Sequence, residues 1–235
     1  MPSLNNVSIL IPYNSDGGHR DKVIKWVLEF YKNTMPEFEV VIGNDTTGQL
    51  FSRSKAINNA ARKASGSIYV IADADIVYNP IILYKAIDLL KYNVPWIIPY
   101  NRIKYLTEDG THQLLNSTAI WPFKAEIEFY HDHYSHVGGL NVISKKNFEI
   151  VGGFDERFIG WGGEDDAFAS SVNSLCGDYH RMKEDLYHIW HPPAAKFFNN
   201  PHYKANKLLS NRYLQASNSE EDMRKLIQER KLVED

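Results

Sequence analysis

Short apolar runs rich in β-branched residues recur along the first hundred positions, at residues 7–11, 38–42, 68–71 and 96–98, each ended by polar or turn-forming residues. That pattern predicts buried strands. Between them apolar positions repeat at helical spacing: residues 19–31 carry Val23, Trp26, Val27 and Phe30 on one face, and residues 51–64 and 81–90 behave alike. Strand and helix alternate, so the chain is expected to be α/β, with a mostly parallel sheet flanked by helices. After about residue 110 the alternation gives way to loops rich in aromatics and histidine, then to a glycine-rich segment around Gly152. That half is expected to carry a site rather than sheet. Helical spacing returns over residues 203–216, and Ser219 is the expected N-cap of "EEDMRKLIQERK". The expected organisation is one domain over residues 1–202, with a donor half to about 110 and an acceptor half beyond it, then a helical extension over 203–235. This tail is expected to pack back on the domain or to mediate assembly.

With 235 residues, 43% of them hydrophobic, the chain can bury a sizeable core. A net charge of −3 gives no basic surface for an extended nucleic acid, although a modified nucleobase remains possible as a local substrate. Cys176 is the sole cysteine, so no internal disulfide forms, and a buried, inert thiol is expected. The opening "MPSLNNVSILIPY" has no basic segment followed by a long apolar one, and no stretch reaches membrane-span length. A cytoplasmic, unanchored protein is expected.

In parallel α/β sheets ligands sit beyond the carboxyl ends of the strands. Residues at those ends are Pro12, Tyr13 and Asn14, then Asn44 and Asp45, then Asp73 and Asp75 of "DADI". Two aspartates two apart at a strand end can project together, which suits a divalent cation balanced by diphosphate oxygens, or a polar strand end bonded to neighbouring loops. "DLYHIWHPP" places His188 and His191 just before prolines that end regular structure. Imidazole added to carboxylate and phosphate oxygens favours Mn²⁺ over Mg²⁺. "GWGGEDDAF" gathers Glu164, Asp165 and Asp166 before an apolar run, as a helix N-terminus would.

The order of these pieces resembles the nucleotide-sugar glycosyltransferases of the Rossmann-like GT-A fold, particularly the β-1,4-galactosyltransferase family and related bacterial family 2 enzymes. "ILIPYN" is similar to that family's nucleotide-holding first strand, and "FSRSKAINNA" to its Phe-x-Arg-Ala-Lys helix, which implies Phe51 and Arg53 at the nucleotide. The resemblance implies Asp75 as metal ligand, Asp73 nearer the ribose or donor sugar, and His191, with His188 beside it, completing the metal set. It further implies Asp165 as catalytic base, and Trp161, Gly162, Gly163, Glu164 and Asp166 along the acceptor. Pro12, Tyr13, Asn14, Asp45 and Gly139 complete the expected donor site. The activity implied is a metal-dependent, inverting transfer of a hexose or N-acetylhexosamine from a UDP-sugar to an acceptor hydroxyl. The acceptor hydroxyl can belong to a glycan, a cell-wall polymer, a protein or a modified nucleobase.

Two departures stand out. "NSDGGHR" follows the first strand where the family carries arginines, so a diphosphate contact is expected from elsewhere or not at all. His136, two residues before "GGL", occupies the position that helps choose the donor sugar in that family, leaving UDP-glucose, UDP-galactose and UDP-N-acetylgalactosamine open. The neighbouring "YHDHYSH" is read as a donor- or acceptor-lining loop, with a second metal site as the alternative. Rival readings are a retaining transferase or nucleotide-sugar hydrolase on the same donor site, and a non-catalytic carbohydrate-binding module. Oligomerisation through the C-terminal helices is a further possibility.

Overall fold

A computed structural model describes residues 6–48, 50–132, 135–192 and 200–232. The first half follows the hydrophobic pattern closely. Strand β1 (Val7–Pro12) leads to helix α1 (His19–Thr34), β2 (Glu39–Gly43) to α2 (Arg53–Lys63), and β3 (Ile68–Ala72), through the short β4 (Ile76–Tyr78), to α3 (Ile81–Leu90) and β5 (Trp96–Ile98). All six residues of β1 are buried, as expected of a strand covered on both faces. Helix α1 turns Val23, Ile24, Trp26, Val27, Phe30 and Tyr31 inward. Helix α2 is capped by Ser52, whose side chain accepts from the Lys55 N–H.

The second half contains β6 (Arg102–Leu106), α4 (Glu108–Leu115), β7 (Ile127–Asp132), β8 (Leu140–Ser144), α5 (Lys145–Ile150), α6 (Glu164–Leu175), β9 (His180–Arg181) and β10 (Asp185–His188). Here the expectation of loops needs correcting. Strand β8 lies in the middle of the main sheet, whose order is β2-β1-β3-β8-β5-β9. It pairs antiparallel with both β3 and β5, so the sheet is mixed, its other three pairings being parallel. A smaller sheet, β4-β10-β6-β7, stands beside it. Its strands are short, β6, β7 and β10 mix polar with apolar residues, and β10 is fixed by partners far away in sequence, which local pattern does not reveal.

Helix α7 (Tyr203–Ala216) and helix α8 (Glu220–Gln228) complete the chain, with Ser219 capping α8. They fold back against α6, where Phe158, Ala167, Tyr213, Ala216, Met223 and Leu226 form a separate small core. Leu208 and Leu214 of α7 nevertheless stay exposed. Beneath this core, Asp155 is almost fully buried and bonded to Arg157 at 2.7 Å and to the Tyr213 hydroxyl at 2.8 Å. Cys176 is half-buried, less enclosed than expected. Among the described residues no helix is long and apolar enough to cross a membrane.

Candidate donor, metal and acceptor site

The carboxyl ends of β1 and β2 are tied together. Asn14 donates to the Asp45 carbonyl at 2.6 Å and accepts from the Asp45 N–H at 2.9 Å, while Asn44 donates to the Tyr13 carbonyl at 2.6 Å. Pro12 lies opposite Gly43 in the register. The Asp45 carboxylate is buried and accepts from Thr47 and from the Ser52 N–H, which shapes the loop leading to α2. Burial opposes its charge, but those bonds hold it below the usual carboxylate range. Phe51, at the end of this loop, is half-buried, and its carbonyl accepts from the Gly160 N–H at 3.1 Å.

Antiparallel pairing of β4 with β10 sets His188 opposite Ile76, next to Asp75, and the Ile189 N–H donates to the Asp75 carbonyl at 2.8 Å. His191 follows two residues later. One ligand atom from each of Asp75, His188 and His191 lies within 4.8 Å of the others, so the three side chains can hold a metal ion. His191 Nε2 stands 3.2 Å from Asp75 Oδ2, and its Nδ1 is 2.9 Å from the Pro192 carbonyl. With Nδ1 donating to that carbonyl, Nε2 meets the carboxylate through a proton or a cation. Burial works against the Asp75 charge, yet the His191 bond and the charges of His188, His191 and Arg20 hold it well below the usual range. Burial also lowers the His188 pKa, favouring the neutral imidazole that a metal requires. One carboxylate and two imidazoles form an N/O set that fits Mn²⁺.

Arg20 is the residue that sequence reasoning missed. It belongs to "NSDGGHR", and its guanidinium lies 3.3 Å from Asp75 Oδ2. The available signal was a cation in the first turn of α1, an unfavourable place unless an anion faces it.

Asp73 and the acidic segment meet at Arg53. The Arg53 Nε donates to Asp73 at 2.7 Å and Nη1 to Asp165 at 2.6 Å, with Glu164 at 4.0 Å. Expected beside the nucleotide, this guanidinium lies between two carboxylates. Burial opposes its charge, but Asp165, Asp73 and Glu164 raise its pKa further. Burial pushes Asp73 up to about 6 against the pull of Arg53, and burial together with the Asp165 charge pushes Glu164 up to about 7.

Helix α6 begins at Glu164, so the acidic triplet does form a helix start. Its N-cap, Gly163, has φ +92°, a left-handed conformation that glycine adopts without strain. Asp165 is partly open, Asp166 is exposed, and Glu164 is buried. Gly138 leaves room for the base candidate: a Cβ there would sit 2.2 Å from Asp165 Oδ2. The Gly139 carbonyl accepts from the Asp73 N–H at 2.9 Å, which locks this loop to β3. His136 is exposed, within electrostatic reach of Asp165 and Asp166, and its carbonyl accepts from Arg181 at 2.6 Å. In the "YHDHYSH" loop, His133 and Tyr134 lie outside the described residues. The segment leading into α6 is held from α7: the buried Asn206 donates to the carbonyls of Ile159 at 3.0 Å and Trp161 at 3.2 Å. Gly162 donates to Glu164 at 3.3 Å.

Residues 123–193 match the family model for the N-terminal domain of galactosyltransferase. β-1,4-Galactosyltransferase 4 of Mus musculus is 26% identical over 187 residues, covering 77% of this chain and 45% of that protein. β-1,4-Galactosyltransferase 1 of Bos taurus is 23% identical over 164 residues, covering 70% and 35%. The chain thus spans less than half the length of these curated relatives. Among solved structures, the catalytic domain of Drosophila β-1,4-galactosyltransferase 7 with xylobiose superposes with a TM-score of 0.47 at 17% identity, covering 85% of this chain and 79% of that one. A variant of the same enzyme with manganese, UDP-Gal and xylobiose gives 0.49 at 16% identity, covering 83% and 76%. The chain resembles the β-1,4-galactosyltransferase family in sequence.

Proposed function

We propose that this protein is a metal-dependent, inverting glycosyltransferase that moves a hexose from a UDP-sugar to an acceptor hydroxyl, with UDP-galactose the first donor to test. The observation that carries this reading is the single guanidinium of Arg53 bonded to Asp73 on the donor side and Asp165 on the acceptor side. Asp165 Oδ1 is engaged by Arg53, and Oδ2, beside Gly138, is the oxygen that takes the proton from the attacking hydroxyl. Asp75, His191 and His188 would hold a divalent cation, which when bound neutralises the departing diphosphate. Arg20, beside Asp75, supplies the positive charge that the sequence lacks immediately after β1. Asp45, through Thr47 and Ser52, orders the loop that presents Phe51 to the nucleotide. His136 borders the donor sugar and takes part in its selection. Trp161, Gly162, Gly163 and Asp166 receive the acceptor.

The test is UDP release with Mn²⁺ over UDP-galactose, UDP-glucose and UDP-N-acetylgalactosamine, followed by NMR of the product. A β-linked product from an α-linked donor is expected. An α-linked product would replace the inverting mechanism with a retaining one. Full turnover in EDTA by metal-free protein would remove the metal from the mechanism.

A further inference from the structure

Residues 136–139 lead into β8, and their four carbonyls are held from four neighbouring strands of the main sheet, β3, β8, β5 and β9. The Gly139 carbonyl accepts from the Asp73 N–H, just beyond β3, at 2.9 Å. Asn141 of β8 donates to the Val137 carbonyl at 2.9 Å. Those two bonds are local, one extending the β3–β8 ladder and the other spanning four residues. The other two come from farther away. Tyr100, two residues past β5, donates its hydroxyl to the Gly138 carbonyl, and Arg181 of β9 donates to the His136 carbonyl at 2.6 Å.

Tyr100 and Arg181 are joined to each other. Arg181 also donates to the Tyr100 carbonyl at 3.2 Å, and its guanidinium carbon stands 6.0 Å from the centre of the Tyr100 ring and 5.2 Å from that of Tyr179. The Tyr100 side chain is fully buried. Burial and the charges of Asp165 and Asp73 raise its phenol pKa against the pull of Arg181, so the hydroxyl keeps its proton and stays a donor.

What this pair holds is the backbone on which the candidate base rests. Arg53 engages Asp165 Oδ1, and on the other side residue 138 lies so close that a Cβ there would sit 2.2 Å from Oδ2. A shift of the Gly138 backbone therefore changes the space in which that oxygen stands.

We infer that Tyr100, braced by Arg181, is a positioning residue for the base: it pins Gly138 and so fixes the place from which Asp165 Oδ2 takes the acceptor's proton. The inference rests on the reading of Asp165 as the base. It adds the residues that set its geometry from the far end of the sheet.

Tyr100→Phe is the direct test, because it removes one oxygen atom while the Gly138 carbonyl keeps a bond from the Leu140 N–H at 3.0 Å. Transfer is measured with Mn²⁺ from UDP-galactose, UDP-glucose or UDP-N-acetylgalactosamine to glucose, N-acetylglucosamine or xylose. With the pair that the parent turns over, kcat should fall about tenfold, as expected for a base displaced by a fraction of an ångström. UDP affinity by calorimetry should stay at the parental value. Arg181→Ala releases the same brace from the rim of the sheet and should lower kcat in the same way, which serves if Tyr100→Phe fails to fold. Repeating both substitutions in an Asp165→Asn background, over a single turnover with labelled donor, separates positioning from general support. With no base left to place, neither should have a further effect. An equal loss in both backgrounds, or parental kcat in both folded variants, would overturn the inference and leave the transferase reading standing. A parent that transfers from none of these donors would sink the transferase reading and this inference with it.

Discussion

Asp73, at the end of β3, and Asp165, in the first turn of α6, accept hydrogen bonds from the same guanidinium, that of Arg53, at 2.7 and 2.6 Å. The proposed donor and acceptor sides are therefore not electrostatically independent. Asp165→Asn should lower transfer about 10²–10⁴-fold, the usual worth of a positioned base. It also takes a negative partner from Arg53, leaving the guanidinium to pair more strongly with Asp73, so a small change in UDP affinity is expected as well. Steady-state kinetics with calorimetric UDP titration reads both. Near-parental transfer by a folded Asp165→Asn protein would exclude this carboxylate as the base.

Arg53→Ala leaves Asp73, Glu164 and Asp165 facing one another without a cation. Breaking a buried ion pair in this way costs about 3–5 kcal/mol. The variant should melt well below the parent and recover part of the loss in mildly acid buffer, where a carboxylate of the group takes up a proton. A thermal scan at two pH values checks this, and a melting point that ignores pH would show that the carboxylates have found other partners.

Arg20 would compete with a metal held by Asp75. Arg20→Ala removes a positive charge 3.3 Å from a ligand oxygen, so Mn²⁺ binding without nucleotide should tighten. UDP binding should weaken over the same substitution, because a cation facing the diphosphate is gone. Calorimetry with Mn²⁺ alone and then with UDP separates these opposite signs. Asp75→Ala should abolish metal-dependent UDP binding, and His191→Ala should weaken it less, since water replaces one neutral ligand more readily.

Gly138→Ala tests the geometry of the base directly. The added methyl carbon would lie 2.2 Å from Asp165 Oδ2, so the carboxylate must move. Transfer should fall by at least about tenfold, because a displacement of about 1 Å costs that or more. Parental kcat in this variant would show that Asp165 works from another rotamer.

Asp155 supplies a pH-dependent part of the stability away from the site. Burial opposes its charge, but Arg157 and Arg230 hold its pKa below the unfolded value. Its contribution is therefore complete above the unfolded pKa of about 4 and is lost as pH falls through the lower, folded value. Asp155→Asn should lower the neutral-pH melting temperature by on the order of 10 °C. It should also flatten the acid limb of the stability curve.

The first half of the fold was readable because its strands and helices are local and strongly patterned, from the buried run of β1 to the one-sided apolar face of α1. Strand β8 was not. "LNVIS" is short, follows two glycines, and gains its place between β3 and β5 only through long-range pairing. The metal residues were legible as types, but their convergence depends on β4 pairing with β10, two strands that local pattern does not announce. Arg20 was hidden for the opposite reason. The residues immediately after β1 hold no arginine, whereas the start of α1 carries Arg20 across to Asp75. Arg53 was recognised, but its position between Asp73 and Asp165 comes from three separate elements meeting.

The two hydrogen bonds from Asn206 to the carbonyls of Ile159 and Trp161 make the tail a latch on the loop that precedes the base. A protein cut after residue 202 would keep every group proposed to touch the nucleotide and every group proposed to move a proton. It would lose the Asn206 bonds and keep only those that Asn200 makes to the same two carbonyls. The tail thus acts on the site at one remove, through the segment that leads into α6, and a change in its packing reaches Trp161 and Asp165 together.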